Sequence, residues 1–317
     1  MSNLLIIYFE SLESWIINSD INDQPITPNL NKLVSSSHTL FADKMTKQIR
    51  GGNSSDAQLI VNTGLLPIYR GATCHRYFTN SYFSLSKAID SKYKKWTYII
   101  DDAKCWNQQA ITKAYGYDSL FANNKTDYLM CKKIESHIET PFLFQVVTLA
   151  SHAPFKAFAD SSSLVLPKNM PAEMANYIKS VNYTDNAIGL LLDKINQIET
   201  NTIIAIVGDH TIFHNEKRNE FKQYCNKHNL DIPVEKEFVP FIVHFPGIEE
   251  RITVADIVYQ MDIYPTLLHL LNRENYIWQG FGINLLDPNA ERKITPEDAL
   301  KLSDAIIRNN YFKQIDD

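Results

Sequence analysis

Three observations predict an α/β fold, a mostly parallel central sheet with helices on both faces. Short apolar runs are continuous instead of alternating, as in strands covered on both sides. Helical patterns fall between those runs. The residues directly after several of the runs are polar, as at the ligand-binding edge of such a sheet. With 317 residues, 44% of them hydrophobic, the chain can bury a large core, and a single domain spanning 1–317 is expected, with about 287–317 a C-terminal helical tail.

The elements follow in order. Leu4 to Phe9 reads as a buried strand and ends at Glu10. Pro28 to Val34 is helical behind a Thr27 cap, and Ser55 to Thr63 is a helix closed by Gly64. Trp96 to Ile100 is the next strand, followed by Asp101 and Asp102; Phe142 to Leu149 is another, followed by "SHAPF". A helix is expected over Glu173 to Ile198, then a strand over Ile203 to Val207 that runs into "GDH" at 208–210. Phe241 to Phe245 reads as a further parallel strand and Ile263 to Leu271 as a helix. The tail "ITPEDALKLSDAIIRN" is one more helix, with Thr295 as cap and Asp298 at the capping-box position.

Composition removes several function classes. A net charge of −5, with no basic run interleaved with aromatics, offers nothing to a phosphate backbone, so nucleic acid is not expected as a partner. Cys74, Cys105, Cys131 and Cys225 form no CxxC pair, which excludes a zinc knuckle and a dense disulfide framework. No stretch approaches the roughly 20 apolar residues that span a bilayer, and no leader pattern precedes the first strand. Because that strand begins almost at residue 3, an upstream segment missing from this sequence is expected.

Glu10 follows one strand and Asp209 and His210 follow another of the same sheet, which delivers two carboxylates and an imidazole to one edge. That set suits a hard or borderline divalent cation such as Mn²⁺, Mg²⁺ or Zn²⁺. The stretch "QIRGGNSSDAQLI", 48–60, places Ser54 immediately before the start of a helix, where free backbone N–H groups favour an anion such as phosphate. Gly51 and Gly52 allow the backbone to approach a ligand closely. A cation beside Ser54 would lower its hydroxyl pKa and make it a nucleophile; Ser55 is the competing choice, with a helix cap as its other role. His214 and His244 are set aside as ligands, His244 because it lies inside an apolar strand.

The ordered series "YFES", "GGNSSDAQ", "WNQ", "TLASHAPF", "VGDH" and "QMDIYPTLLHL" resembles the extracellular catalytic domain of lipoteichoic acid synthases. Those enzymes stand with phosphoglycerol and phosphoethanolamine transferases, phosphatases and sulfatases in the alkaline phosphatase superfamily. The resemblance runs from about residue 3 to 286 and implies an alkaline phosphatase/sulfatase-like fold. It also implies metal ligands at Glu10, Ser54, Asp209 and His210, a nucleophile at Ser54, and a pocket histidine acting with it at His152. Asn53, Trp106, Gln108, and either Asp101 or Asp102 fall on substrate-binding positions. Two positions depart from the pattern: Gln108 stands where the family has arginine, and Asn53 where it has lysine. Lys104 and Arg50 are the candidates to restore the charge.

The function implied is metal-dependent transfer of a phosphoglycerol- or phosphoethanolamine-type group from a phospholipid to a glycan or lipid acceptor of the envelope, through a covalent Ser54 intermediate. Mn²⁺ is the expected ion, with Zn²⁺ or Mg²⁺ as alternatives. The expected location is outside the cytoplasmic membrane, tethered through the missing N-terminal segment. One alternative is a phosphodiesterase or sulfatase hydrolase on the same scaffold; the C/S-x-P-x-R pattern of sulfatases is absent around Ser54. The other is an inactive envelope-polymer binding module, against which the complete set Glu10, Ser54, Asp209 and His210 argues.

Overall fold

A computed structural model describes residues 1–156, 158–198 and 201–316. Its centre is a nine-stranded sheet. The strands are β1 (Asn3–Phe9), β2 (Thr39–Thr46), β3 (Lys94–Ile99), β4 (Ser119–Phe121), β5 (Phe142–Val147), β6 (Thr202–Gly208), β7 (Val239–His244), β8 (Ile252–Val254) and β9 (Val258–Tyr259). Their order across the sheet is β8-β2-β7-β6-β1-β5-β3-β4, with β9 also paired to β2.

β1 is parallel to both β5 and β6, and β3 is parallel to β5 and β4. One expectation is corrected here: β7 is antiparallel to both of its neighbours, β2 and β6. An apolar run reports burial on two faces and carries no information about direction. β2 went unread because "TLFADKMT" breaks its apolar run with Asp43 and Lys44, where the pairing to β7 shifts register between Ala42 and Met45.

Alternate side chains of β1 feed two separate cores. Leu5, Ile7 and Phe9 pack with α1 (Pro28–Ser35), α3 (Asp127–Glu135) and α4 (Ala172–Ile198). Leu4, Ile6 and Tyr8 pack with α2 (Ser54–Thr63), α6 (Ile263–Leu270) and α7 (Pro296–Arg308). α5 (Asn215–Lys227) joins the first core through Phe221. Helices therefore cover both faces, as the unbroken apolar strands require.

Thr27 does precede α1, but its side chain makes no capping bond; its hydroxyl donates to Asn31 Oδ1 at 2.9 Å. The α1 N-terminus is instead held by Asp185 of α4, whose carboxylate accepts from Asn29 N at 3.0 Å and Leu30 N at 2.9 Å. Thr295 caps α7 as expected, accepting from Asp298 N at 3.1 Å. The tail is part of the body: Ile307 and Phe312 enter the second core, and Ser303 Oγ accepts from Leu66 N at 2.9 Å. Among the described residues, no helix is long and apolar enough to cross a membrane.

Candidate active site

Strand register assembles the site. Phe9 pairs with Gly208 and Tyr8 with Val147, so Glu10, Asp209, His210 and the segment after β5 all emerge at the same sheet edge. Ile99 pairs with Val147, which brings the residues after β3 to that edge as well. Backbone and side-chain bonds then fix the loops to one another. Glu10 N donates to Thr148 Oγ1 at 3.0 Å, Ser151 Oγ donates to Glu10 O at 2.5 Å, and Gln260 Nε2 donates to Asp209 O at 2.8 Å.

Ser54 is the first helical residue of α2, one residue earlier than the helix start read from the sequence. Its Oγ donates to Glu10 Oε2 at 3.0 Å and lies 3.4 Å from His210 Nε2. His210 Nε2 is 3.4 Å from Glu10 Oε1 and 3.6 Å from Asp209 Oδ2. One ligand atom from each of Glu10, Asp209 and His210 lies within 4.8 Å of the others, and all three residues are buried.

The donor set fits a divalent cation on an observation internal to the site. Asp209 Oδ1 accepts from Ser11 N and His210 N, both at 2.7 Å, whereas Asp209 Oδ2 is buried with no hydrogen-bond partner. A buried carboxylate oxygen without a partner is costly unless a cation meets it. Burial first, and the adjacent Asp209 second, push the Glu10 carboxyl well above its ordinary range, against hydrogen bonds from Ser11 and Ser54. A cation shared by the two carboxylates relieves both strains.

The two serines separate cleanly. Ser55 Oγ turns away from the cleft, donating to Gly52 O at 2.6 Å and contacting Cys74 Sγ at 3.2 Å. The glycine pair has a different reason from the one read in the sequence. Asp56 folds back over the loop, accepting from Gly52 N at 2.8 Å and Arg50 N at 2.9 Å. A Cβ on Gly52 would meet Asp56 Oδ1 at 2.3 Å, so the space is kept for that carboxylate and not for a ligand. Asn53, between Gly52 and Ser54, takes φ +44° and ψ −122°, a conformation L-residues rarely adopt, and so turns the chain sharply into α2.

A cleft of about 790 Å³ opens over Ser54 and is lined by Glu10, Asn53, Asp101, Trp106, Gln108, His152 and His210. Between the two aspartates, Asp101 lines the cleft while Asp102 Oδ1 accepts from Lys104 N at 2.8 Å, closing a local turn. Trp106 stacks on His75 at 5.7 Å and has φ +49°, which fixes its ring as a wall. His152 Nδ1 lies 2.7 Å from Ala153 O. A carbonyl only accepts, so Nδ1 carries the proton and Nε2 is left for a ligand.

Neither Lys104 nor Arg50 lines this cleft; Lys47 and Lys156 do. Lys47 Nζ donates to Thr211 Oγ1 and, at 3.1 Å, to Glu237 Oε1. Lys47 follows β2, the unread strand, so the sequence held no cue to its place. Thr211 and His214 also line the cleft, whereas His244 lies at the opposite sheet edge, paired across from Thr39.

Comparison with known proteins bears on the fold. The chain is 27% identical to the lipoteichoic acid synthase-like protein YvgJ of Bacillus subtilis, over 98% of its own length and 53% of that protein. It thus spans about half the length of the curated relatives it matches. Its fold matches the lipoteichoic acid synthase LtaP of Listeria monocytogenes with a TM-score of 0.83 at 21% identity, covering 97% of this chain and 92% of the other. The phosphoglycerol transferase GacH of Streptococcus pyogenes, solved with sn-glycerol-1-phosphate, matches with a TM-score of 0.67 at 15% identity over 98% and 85% of the two chains. The alkaline phosphatase/sulfatase-like architecture is therefore established, and, since the family model described as Sulfatase matches residues 60–273, more than half of the chain, this chain belongs to the sulfatase family.

Proposed function

We propose that this domain transfers a phosphoglycerol- or phosphoethanolamine-type group from a phospholipid to a glycan or lipid acceptor of the cell envelope. The observation that carries the reading is Ser54 Oγ at a helix N-terminus, 3.0 Å from Glu10 Oε2 and 3.4 Å from His210 Nε2, beside the unpartnered Asp209 Oδ2. Glu10, Ser54, Asp209 and His210 would hold one divalent cation, Mn²⁺ by preference and Zn²⁺ or Mg²⁺ otherwise. When bound, the ion supplies positive charge that lowers the serine pKa and offsets charge on the phosphoryl oxygens.

Ser54 Oγ, deprotonated to solvent, attacks phosphorus; the Oγ–P bond forms as the bond from phosphorus to the lipid alcohol breaks. His152, doubly protonated, gives its Nε2 proton to the departing oxygen. In the second half, His152 takes the proton of an acceptor hydroxyl, whose oxygen displaces Ser54 from phosphorus. The α2 N-terminus faces the phosphoryl oxygens, and Trp106, Asp101 and Gln108 shape the head-group side of the cleft. Tethering outside the cytoplasmic membrane is part of this proposal and follows the resemblance to lipoteichoic acid synthases.

Charge supports a diester as substrate. Gln108 and Asn53 are neutral and Lys47 is shared with Glu237, so Lys156 is the lysine left to add charge to the cleft. The remaining positive features suit one negative charge better than the nearly two of a phosphomonoester. The test is metal content together with kcat/KM on a panel of phosphodiesters, phosphomonoesters and sulfates. Diesters should lead by tenfold or more, while a tenfold lead for monoesters or sulfates, about 1.4 kcal/mol in transition-state binding, would overturn the reading.

A further inference from the structure

Gln58 lies one turn beyond Ser54 on α2 and lines the same cleft. It is 1% exposed, and both ends of its amide, Nε2 and Oε1, are buried without a hydrogen-bond partner. Facing the same cleft, Gln108 is 5% exposed, and its Oε1 is likewise buried and unpartnered, as is Thr112 Oγ1 one turn further along a separate short helix, Gln108–Ala114.

The fold does satisfy a buried amide elsewhere on α2. One turn past Gln58, Asn62 Nδ2 donates to Tyr8 OH at 3.0 Å, Gln58 O at 2.8 Å and Gln145 Oε1 at 3.0 Å. Asn62 Oδ1 accepts from Tyr117 OH at 2.8 Å. Gln58 has no such surroundings. A buried amide unpaired at both ends destabilises a protein, a cost an apolar side chain of similar length would not carry.

We propose that Gln58 is a specificity-determining residue that reads a hydroxyl group on the substrate's phosphate-linked head group, with Gln108 Oε1 accepting from a second hydroxyl. This rests on the function proposed above. An amide offers one donor and one acceptor side by side, which complements a hydroxyl, itself donor and acceptor. An ammonium offers donors only and leaves the amide N–H unmet. A site built to bond a hydroxyl rejects the analogue that lacks it, because its own buried polar groups then stay unpaired.

The test is titration calorimetry of the Mn²⁺-loaded protein with glycerol 1-phosphate and ethyl phosphate, for wild type, Gln58→Leu and Gln58→Met, with thermal melts of each. Wild type should bind glycerol phosphate at least fivefold more tightly. Both variants should bind the two phosphates within twofold of each other, with melting temperatures equal to or above wild type. A preference kept in either folded variant, no preference in wild type, or no binding of either phosphate would overturn the assignment. Turnover of diesters by wild type is scored separately: its absence, with the binding pattern intact, would sink the transferase reading and leave Gln58 as a hydroxyl reader.

Discussion

Ser54 and Ser55 are adjacent, equally small and both buried, yet their hydroxyls face different chemistry. Ser54 Oγ points at Glu10 and His210, Ser55 Oγ at Gly52 O and Cys74. Ser54→Ala should abolish turnover with the fold intact. Ser55→Ala should keep turnover and lose about 1 kcal/mol of stability, the ordinary contribution of one hydrogen bond; denaturant melts and a diester assay separate the two. Gly52→Ala should expel the Asp56 carboxylate from Gly52 N and Arg50 N, costing about 1–3 kcal/mol and lowering kcat, since Asn53 and Ser54 are set by that loop. What was legible at Ser54 is its place at a helix start two residues after a glycine pair. The purpose of Gly52 was not, because it depends on Asp56 folding back four residues, a contact that spacing alone does not reveal. The same holds for Lys47, whose position follows from an irregular strand that breaks the apolar pattern.

At the scale of elements, the strands that carry Glu10, Asp209 and His152 were legible as unbroken apolar runs ending in polar residues, and their parallel register places those ends together. The direction of β7 was not, since burial on both faces is the same for parallel and antiparallel strands. Nor was the α1 N-terminus, whose capping acceptor comes from α4, distant in sequence. That contact carries a pH dependence. Burial raises the Asp185 carboxyl from its ordinary 3.8 to about 6, against hydrogen bonds from the Asn29 and Leu30 backbone and the Asn29 side chain. The folded value is above the unfolded one, so the group's favourable contribution is complete below pH 3.8 and is lost as pH rises through 6. Relative to Asp185→Asn, wild type should therefore gain about 2 kcal/mol between pH 7 and pH 4. Urea melts of both proteins across that range check it; a difference that stays constant with pH would refute it.

Over the whole molecule, the two cores share one sheet, and the tail closes the second of them. Residues 1–317 should therefore unfold as one domain, in a single calorimetric transition. Removal of 287–317 strips Ile307, Phe312 and the Ser303 bond from the region that supports α2, so it should lower the melting temperature and the metal affinity together. A truncated protein that binds Mn²⁺ as wild type does would show that the tail is an appendage. What unites these scales is a sheet edge that brings Ser54 Oγ beside three groups able to hold a metal ion. The most direct measurement is peptide mass spectrometry of the Mn²⁺-loaded protein after incubation with a slowly transferred glycerophosphodiester. A glycerophosphoryl adduct on Ser54, absent in Asp209→Asn, is predicted; an adduct on Ser55 or elsewhere, or full turnover by Ser54→Ala, would contradict the account.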